Sequence, residues 1–144
     1  MGIFDKIFSG EEKLDTKEAF AAVLVAGIAA DGYISEEEAQ ETIGRLLRTK
    51  LYEGCTGQEL NVVINKLMTI LKSGGPNALI GAAKEVLPFE LRETAFTNSV
   101  DLVLEDGIVT ESEKQILEQI QKSLDIPDDT ALKIVDIIMI KNRG

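Results

Sequence analysis

The sequence contains no histidine, no tryptophan and only one cysteine, Cys55. Without an imidazole, the chain has no Ser-His-Asp or Cys-His catalytic machinery and no histidine metal ligand. A lone cysteine forms neither an intrachain disulfide nor a zinc cluster. Lys50 is the nearest basic residue in the sequence, so we interpret Cys55 as unreactive. These absences predict a protein that is not an enzyme and carries no organic cofactor.

Clustered basic residues and long apolar runs are also missing. The net charge is -10, and scattered Lys and Arg give no surface for phosphates, so we expect no nucleic-acid partner. No apolar stretch approaches the roughly 20 residues of a membrane span. The scarcity of cysteine and the lack of a signal peptide favour the cytoplasm. A length of 144 residues predicts one domain, residues 1–144, with an aliphatic core.

Apolar residues recur at helical spacing along most of the chain, and glycine or proline separates the periodic segments. This pattern predicts an all-α fold, a compact single-domain bundle of about seven helices. Their predicted positions are near residues 16–30, 35–49, 57–72, 76–87, 89–104, 110–124 and 128–141. The stretch "KIVDIIMIK" at 133–141 also suits a buried strand, but its neighbours favour a helix. Because it is apolar on most sides, it is either central to the core or half of an oligomer contact.

Residues 1–10 form a short amphipathic segment. Ile3, Phe4, Ile7 and Phe8 fall on one face of a helix. We expect this segment to dock on the core as a short helix. The alternative is reversible contact with a protein partner or peripheral contact with a membrane.

One motif occurs twice, as "DGYISEEE" at residues 31–38 and "DGIVTESE" at residues 106–113. Residues 18–40 align with residues 93–115 without a gap, and beyond that point the apolar registers diverge. The alignment predicts an internal helix-turn-helix pseudo-repeat, with units at about 16–49 and 89–124.

Local helix chemistry explains most of the repeated motif. Ser35 and Glu38, and likewise Thr110 and Glu113, have the spacing of a capping box, in which hydroxyl and carboxylate each accept a backbone N–H. The glycine of each turn suits the positive φ that ends a helix. On this interpretation the acidic turns serve only as helix caps.

The aspartates of the two turns, Asp31 and Asp106, fit capping less well. Each follows a helix C-terminus, where the macrodipole already places negative potential. A divalent cation held by Asp31, helix-end carbonyls and Glu37 or Glu38 would offset that potential, and all-oxygen ligands suit Ca²⁺, Mg²⁺ or Mn²⁺. An EF-hand is excluded because the first half of its loop is missing. Capping alone and cation binding therefore both remain open.

The segments "AADGYISEEE", "IGRLLR" and "LEDGIVTESEK", with the opening "GIFDKIF", resemble the tellurite-resistance TerB family. The resemblance covers most of the chain. It implies an all-α bundle with two related helix-turn-helix units and a role in tellurite and related stress among membrane and cytoplasmic partners. It also implies metal binding by acidic clusters, which fall in this chain on Asp31, Glu37, Glu38, Asp106, Glu111 and Glu113. Ser112 occupies the position of the second motif that matches Glu37 in the first, so we expect the second cluster to bind a metal ion more weakly.

The sequence thus predicts a cytoplasmic, non-enzymatic TerB-like protein of the tellurite or metal-stress response. It would bind divalent cations through its two acidic helix junctions and engage a protein partner, with a homo-oligomer as one form of that contact. The alternative is an all-α protein-interaction module whose acidic turns are helix caps only.

Overall fold

The computed structural model describes residues 13–105 and 107–144. The predicted N-terminal segment and Asp106 lie outside these described residues. Within them the chain forms six α-helices and a short 3₁₀ helix, Lys50–Tyr52, and no strand. The α-helices are α1 Thr16–Ile28, α2 Glu36–Leu47, α3 Gly57–Val86, α4 Phe89–Leu104, α5 Glu111–Ser123 and α6 Asp128–Lys141.

The all-α fold class is confirmed, and the strand alternative for residues 133–141 is wrong because these residues lie in α6. The predicted helices at 57–72 and 76–87 are joined in α3. Gly75 within α3 is not helical, with φ 73° and ψ -176°, and Pro76 follows it. The kink therefore falls where glycine and proline predict a break, since glycine accepts the positive φ and proline starts a helical segment.

Helix α1 is the centre of the bundle. Residues 19–27 are all buried, and α1 packs most extensively against α3 and α4. Small residues permit this close packing: a Cβ on Gly27 would overlap the Ser99 Oγ of α4. The Ser99 hydroxyl donates a hydrogen bond to the Val23 carbonyl oxygen at 3.3 Å, which satisfies a polar group inside the core.

Helix α6 is attached differently from the others, because it packs mainly against α4. Near its end, Lys141 Nζ lies 3.0 Å from the Asp101 carboxylate of α4. Arg45 Nη1 of α2 donates to the same carboxylate at 2.8 Å. Burial raises the pKa of Asp101, but the hydrogen bonds from Lys141 and Arg45 outweigh burial and hold the pKa below its usual value. Asp101 therefore joins α2, α4 and α6.

Among the described residues, none of the helices has the length and apolar composition that a membrane span requires.

Candidate functional site: an acidic cavity between the two Asp-Gly turns

Both predicted capping boxes are present. The Ser35 N–H donates to Glu38 Oε1 at 2.9 Å, and the Glu38 N–H donates to Ser35 Oγ at 3.1 Å. The Thr110 N–H donates to Glu113 Oε1 at 2.9 Å, and the Glu113 N–H donates to Thr110 Oγ1 at 3.2 Å. Each box satisfies two backbone donors that a helix start leaves unpaired. Capping thus accounts for the conformations of Glu38 and Glu113.

The glycine of each turn also behaves as predicted. Gly32 has φ 100° and Gly107 has φ 76°. Their N–H groups donate to the carbonyl oxygens of Ala29 and Leu104, which lie at the ends of α1 and α4. The chain therefore reverses after each helix in a backbone region that glycine adopts without strain.

The two capping carboxylates line one cavity of about 320 Å³. Ile28 at the end of α1 and Leu102 near the end of α4 form its apolar part. Two further carboxylates line it, those of Glu41 on α2 and Glu105 after α4. The start of α2 and the start of α5, which carry the two copies of the motif, therefore meet at a single acidic cavity.

The other predicted ligands are distributed differently. Asp31 and Glu37 are exposed and are not among the residues that line this cavity. The Asp31 carboxylate forms no hydrogen bond or ion pair with the part of the chain that the structure describes. Glu111 is exposed beside Lys114 Nζ at 3.9 Å. Asp106 lies outside the described residues, so the structure brings together two of the six predicted ligands, Glu38 and Glu113.

Sequence reasoning missed Glu41 and Glu105 as members of this cluster. Glu41 lies one turn after Glu38, so the helical period alone places both on one side of α2. Glu105 directly precedes the second Asp-Gly, where its carboxylate adds to the negative end of α4. Arg45 Nη2, at 4.0 Å from Glu105 Oε1, is the nearest opposite charge that the structure records for Glu105. The repeat could not reveal either residue, because their counterparts are Ile116 and Ala30.

The chemistry of this cavity is that of an anionic oxygen cluster. Glu38 and Glu113 each use Oε1 for capping, and within the described residues their Oε2 atoms accept no hydrogen bond. Across residues 13–105 and 107–144, no three acidic or cysteine side chains are arranged to hold a metal ion together. A shared ion would therefore require rotation of side chains, which the exposed positions of Glu41 and Glu105 permit.

Cys55 has a basic neighbour that sequence distance hides. Lys17 Nζ of α1 donates to Cys55 Sγ at 3.5 Å. The two residues meet because the Tyr52 hydroxyl donates to the Lys17 carbonyl oxygen at 2.6 Å and holds the 3₁₀ helix against the start of α1. The prediction that Cys55 is unreactive stays a prediction, and sequence distance, on which it was based, does not reveal Lys17.

A second concave surface lies on the other side of α4, and we call it the α4–α6 groove. Its volume is about 770 Å³, and α4, α5 and α6 line it. Most of the lining is apolar: Phe96, Leu104, Val109, Leu117, Ala131, Leu132, Val135 and Met139. Leu132 is 64% exposed and Met139 is 49% exposed, so α6 turns a row of apolar side chains toward water. Exposed apolar surface of this kind commonly marks an interaction site.

The described residues thus define an all-α bundle with an acidic cavity on one side and an apolar groove on another. Comparison with known protein families, with curated proteins and with solved structures found no significant match to the chain.

Proposed function

We propose that the protein is a non-enzymatic, TerB-like cation-binding protein of the cytoplasm, acting in the tellurite or metal-stress response. The cation would occupy the acidic cavity between the two Asp-Gly turns. The observation that carries the proposal is the position of Glu38 and Glu113, which belong to different repeats yet line the same cavity. Calcium, magnesium and manganese suit a site made of carboxylate oxygens.

Electrostatics support a cation at this position. Four glutamates line the cavity, and the Arg45 guanidinium, which pairs with Asp101 at 2.8 Å, lies 4.0 Å from Glu105. A divalent ion would reduce the repulsion among these charges and stabilise both turns together.

The resemblance to the TerB family supports the proposed biological role. The all-helical fold and the two capped Asp-Gly turns agree with the architecture that the resemblance implies. We propose that the seven helices predicted from the sequence correspond to the six helices, with α3 counted as two segments on either side of Gly75. Ion binding would stiffen the turns and so alter the surface offered to a partner.

Thermal unfolding with added Ca²⁺ or Mn²⁺ tests cation binding. A site raises the melting temperature by linkage, with about 2.7 kcal/mol of added stability when free ion is 100-fold above Kd. The variant Glu38→Gln with Glu113→Gln should lose most of this increase. Glutamine also serves at the third position of a capping box, so the substitution removes the charges and keeps the caps.

Glu59→Gln is the matched control. Glu59 occupies the same capping position in a third box, where its N–H donates to Thr56 Oγ1 at 3.1 Å, and it does not line the cavity. This variant should keep the full ion-dependent increase. An equal increase in all three proteins, or none in the wild type, contradicts the cation function and leaves the turns as caps.

The second candidate function is a protein-interaction module that uses the α4–α6 groove. The apolar lining and the exposed Leu132 favour it. A photocrosslinking amino acid at position 132 tests this function in cells. Covalent adducts with protein support an interaction module, and a chain that stays uncoupled contradicts it.

A further inference from the structure

We propose that the α4–α6 groove binds α6 of a second copy of this chain, so that two protomers associate through an antiparallel pair of α6 helices. This inference rests on the second candidate function, the interaction module, and is independent of the cation site. The partner that the groove binds is then a second copy of the protein.

The first support is a row of side chains along one side of α6. Seven residues from α6 and its C-terminal end line the groove: Asp128, Ala131, Leu132, Val135, Met139, Asn142 and Arg143. Asp128, Leu132, Val135 and Met139 are spaced by four, three and four, which keeps them on one side of the helix because each residue advances by 100°. Arg143 extends this row two residues past the end of α6. The row is apolar in the middle, acidic at its start and basic at its end, and it is about 22 Å long at 1.5 Å per residue.

The second support is that this row is complementary to itself. In a two-fold antiparallel pair, Asp128 lies opposite the partner's Arg143, and Leu132 lies opposite the partner's Met139. The two copies of Val135 meet near the axis. The contacts away from the axis then occur twice, as an isologous interface requires. The alternation of four and three is also the spacing with which apolar helix seams pack.

The third support is that the charged ends of the row form no ion pair with the described residues of the protomer. Arg143 forms none, although it lines the groove. Asp128 accepts a hydrogen bond from Gln121 Nε2 at 2.7 Å, and its nearby cation, Lys122, is paired with Glu118 at 2.8 Å. In the antiparallel pair each of these charges meets its opposite.

The groove of about 770 Å³ is open beside α6, so it can receive the apolar side chains of a second helix. Helix α6 packs mainly against α4, which leaves its side toward α5 apolar and open. Leu117 of α5 forms the opposite wall. The α6 helix of a second copy in this space would contact both α5 and α6 of the first copy.

Sedimentation equilibrium of the full chain, from low to high micromolar concentration, tests the pairing. The wild type should form a reversible dimer, and Leu132→Glu should remain monomeric with unchanged helical circular dichroism. Asp128→Arg and Arg143→Asp, each alone, place like charges opposite each other twice and should weaken the dimer by about tenfold. Asp129→Arg changes the same charge one residue outside the row and should leave the dimer unchanged.

The decisive sample is an equimolar mixture of Asp128→Arg and Arg143→Asp. In the mixed pair both contacts again join opposite charges, so association should return close to the wild-type level. A wild type that stays monomeric, a Leu132→Glu variant that dimerises, or a mixture no tighter than the single variants overturns the inference. Crosslinking at position 132 to a protein of different mass would overturn self-association and still support the interaction function.

Discussion

The two segments that carry the Asp-Gly motif, which we call the first unit (α1 and α2) and the second unit (α4 and α5), are covered differently. Helix α1 of the first unit is buried along residues 19–27, enclosed chiefly by α3 and α4. In the second unit, α6 packs mainly against α4 and leaves the α4–α6 groove open. One helix-turn-helix motif therefore supplies a closed core in one unit and an accessible apolar surface in the other. The helices that pack over each unit, rather than the motif, decide whether its apolar residues are buried or accessible.

Truncating one leucine of the closed core and one of the open groove should give the largest contrast. Leu24 of α1 is fully buried, and Leu24→Ala should lower the free energy of unfolding by about 3 kcal/mol through lost contacts and a cavity. Leu132 is 64% exposed, and Leu132→Ala should change the free energy of unfolding by less than about 0.5 kcal/mol. Urea denaturation at a protein concentration that keeps the chain monomeric measures both values. Equal losses of unfolding free energy in the two variants would contradict the distinction between a closed core and an open groove.

The attachment of α6 should depend on Asp101 and on pH. Asp101→Asn removes the charge shared by Arg45 and Lys141 and should cost about 2 kcal/mol near neutral pH. The folded-state pKa of Asp101 lies below its ordinary value of 3.8, so its contribution is complete above that pH and disappears as the pH falls through the folded-state pKa. The stability difference between wild type and variant should therefore shrink in acid.

Urea denaturation between neutral and acidic pH checks this dependence. Asp31→Asn, measured with chelator present, is the control, because Asp31 is exposed and has no partner in the described residues. A difference at Asp101 that stays constant down to low pH would show that the carboxylate charge does not hold α6.

The close approach of α1 and α4 should make two helical glycines behave in opposite ways. Gly27→Ala places a methyl group against Ser99 and should destabilise the protein by about 1–2 kcal/mol. Gly81 of α3 has open space beside it, and Gly81→Ala should stabilise by up to about 1 kcal/mol through helix propensity. Adding Ser99→Ala to Gly27→Ala removes the overlapping oxygen and should restore much of the loss. Thermal unfolding of the four proteins measures these effects.

The helix caps should contribute about equally to the stability of the two units. Ser35→Ala and Thr110→Ala each remove one hydroxyl that accepts a helix N–H, and each should cost about 1 kcal/mol. Denaturant titration compares them. A cost more than twice as large in one unit would indicate that its hydroxyl has a role beyond capping.

Local features of the fold were predictable from sequence because they depend on short-range chemistry. The hydroxyl-to-glutamate spacing predicted both capping boxes, and glycine predicted the positive φ of both turns. Apolar periodicity placed α4 and α6 at the bounds that the structure has. The interruption of α3 at Gly75, which Pro76 follows, also falls where glycine and proline predict a break.

The candidate site was only partly predictable, because it depends on packing between distant segments. Glu38 and Glu113 were identified from the motif, but their meeting at one cavity results from the crossing of α1 and α4. Glu41 and Glu105 escaped notice because neither belongs to the repeated pattern. Lys17 lies beside Cys55 for a similar reason, since 38 positions separate them in sequence.

Manganese titration followed by amide NMR tests the shared acidic cavity most directly, because Mn²⁺ broadens the signals of nearby residues. The account predicts that low Mn²⁺ broadens Thr42 and Val103, which line the cavity from α2 and α4. The broadening should disappear in Glu38→Gln with Glu113→Gln and persist in Glu59→Gln. Broadening confined to the exposed turn around Asp31, or spread evenly over the acidic surface, would contradict a single site formed by both repeats.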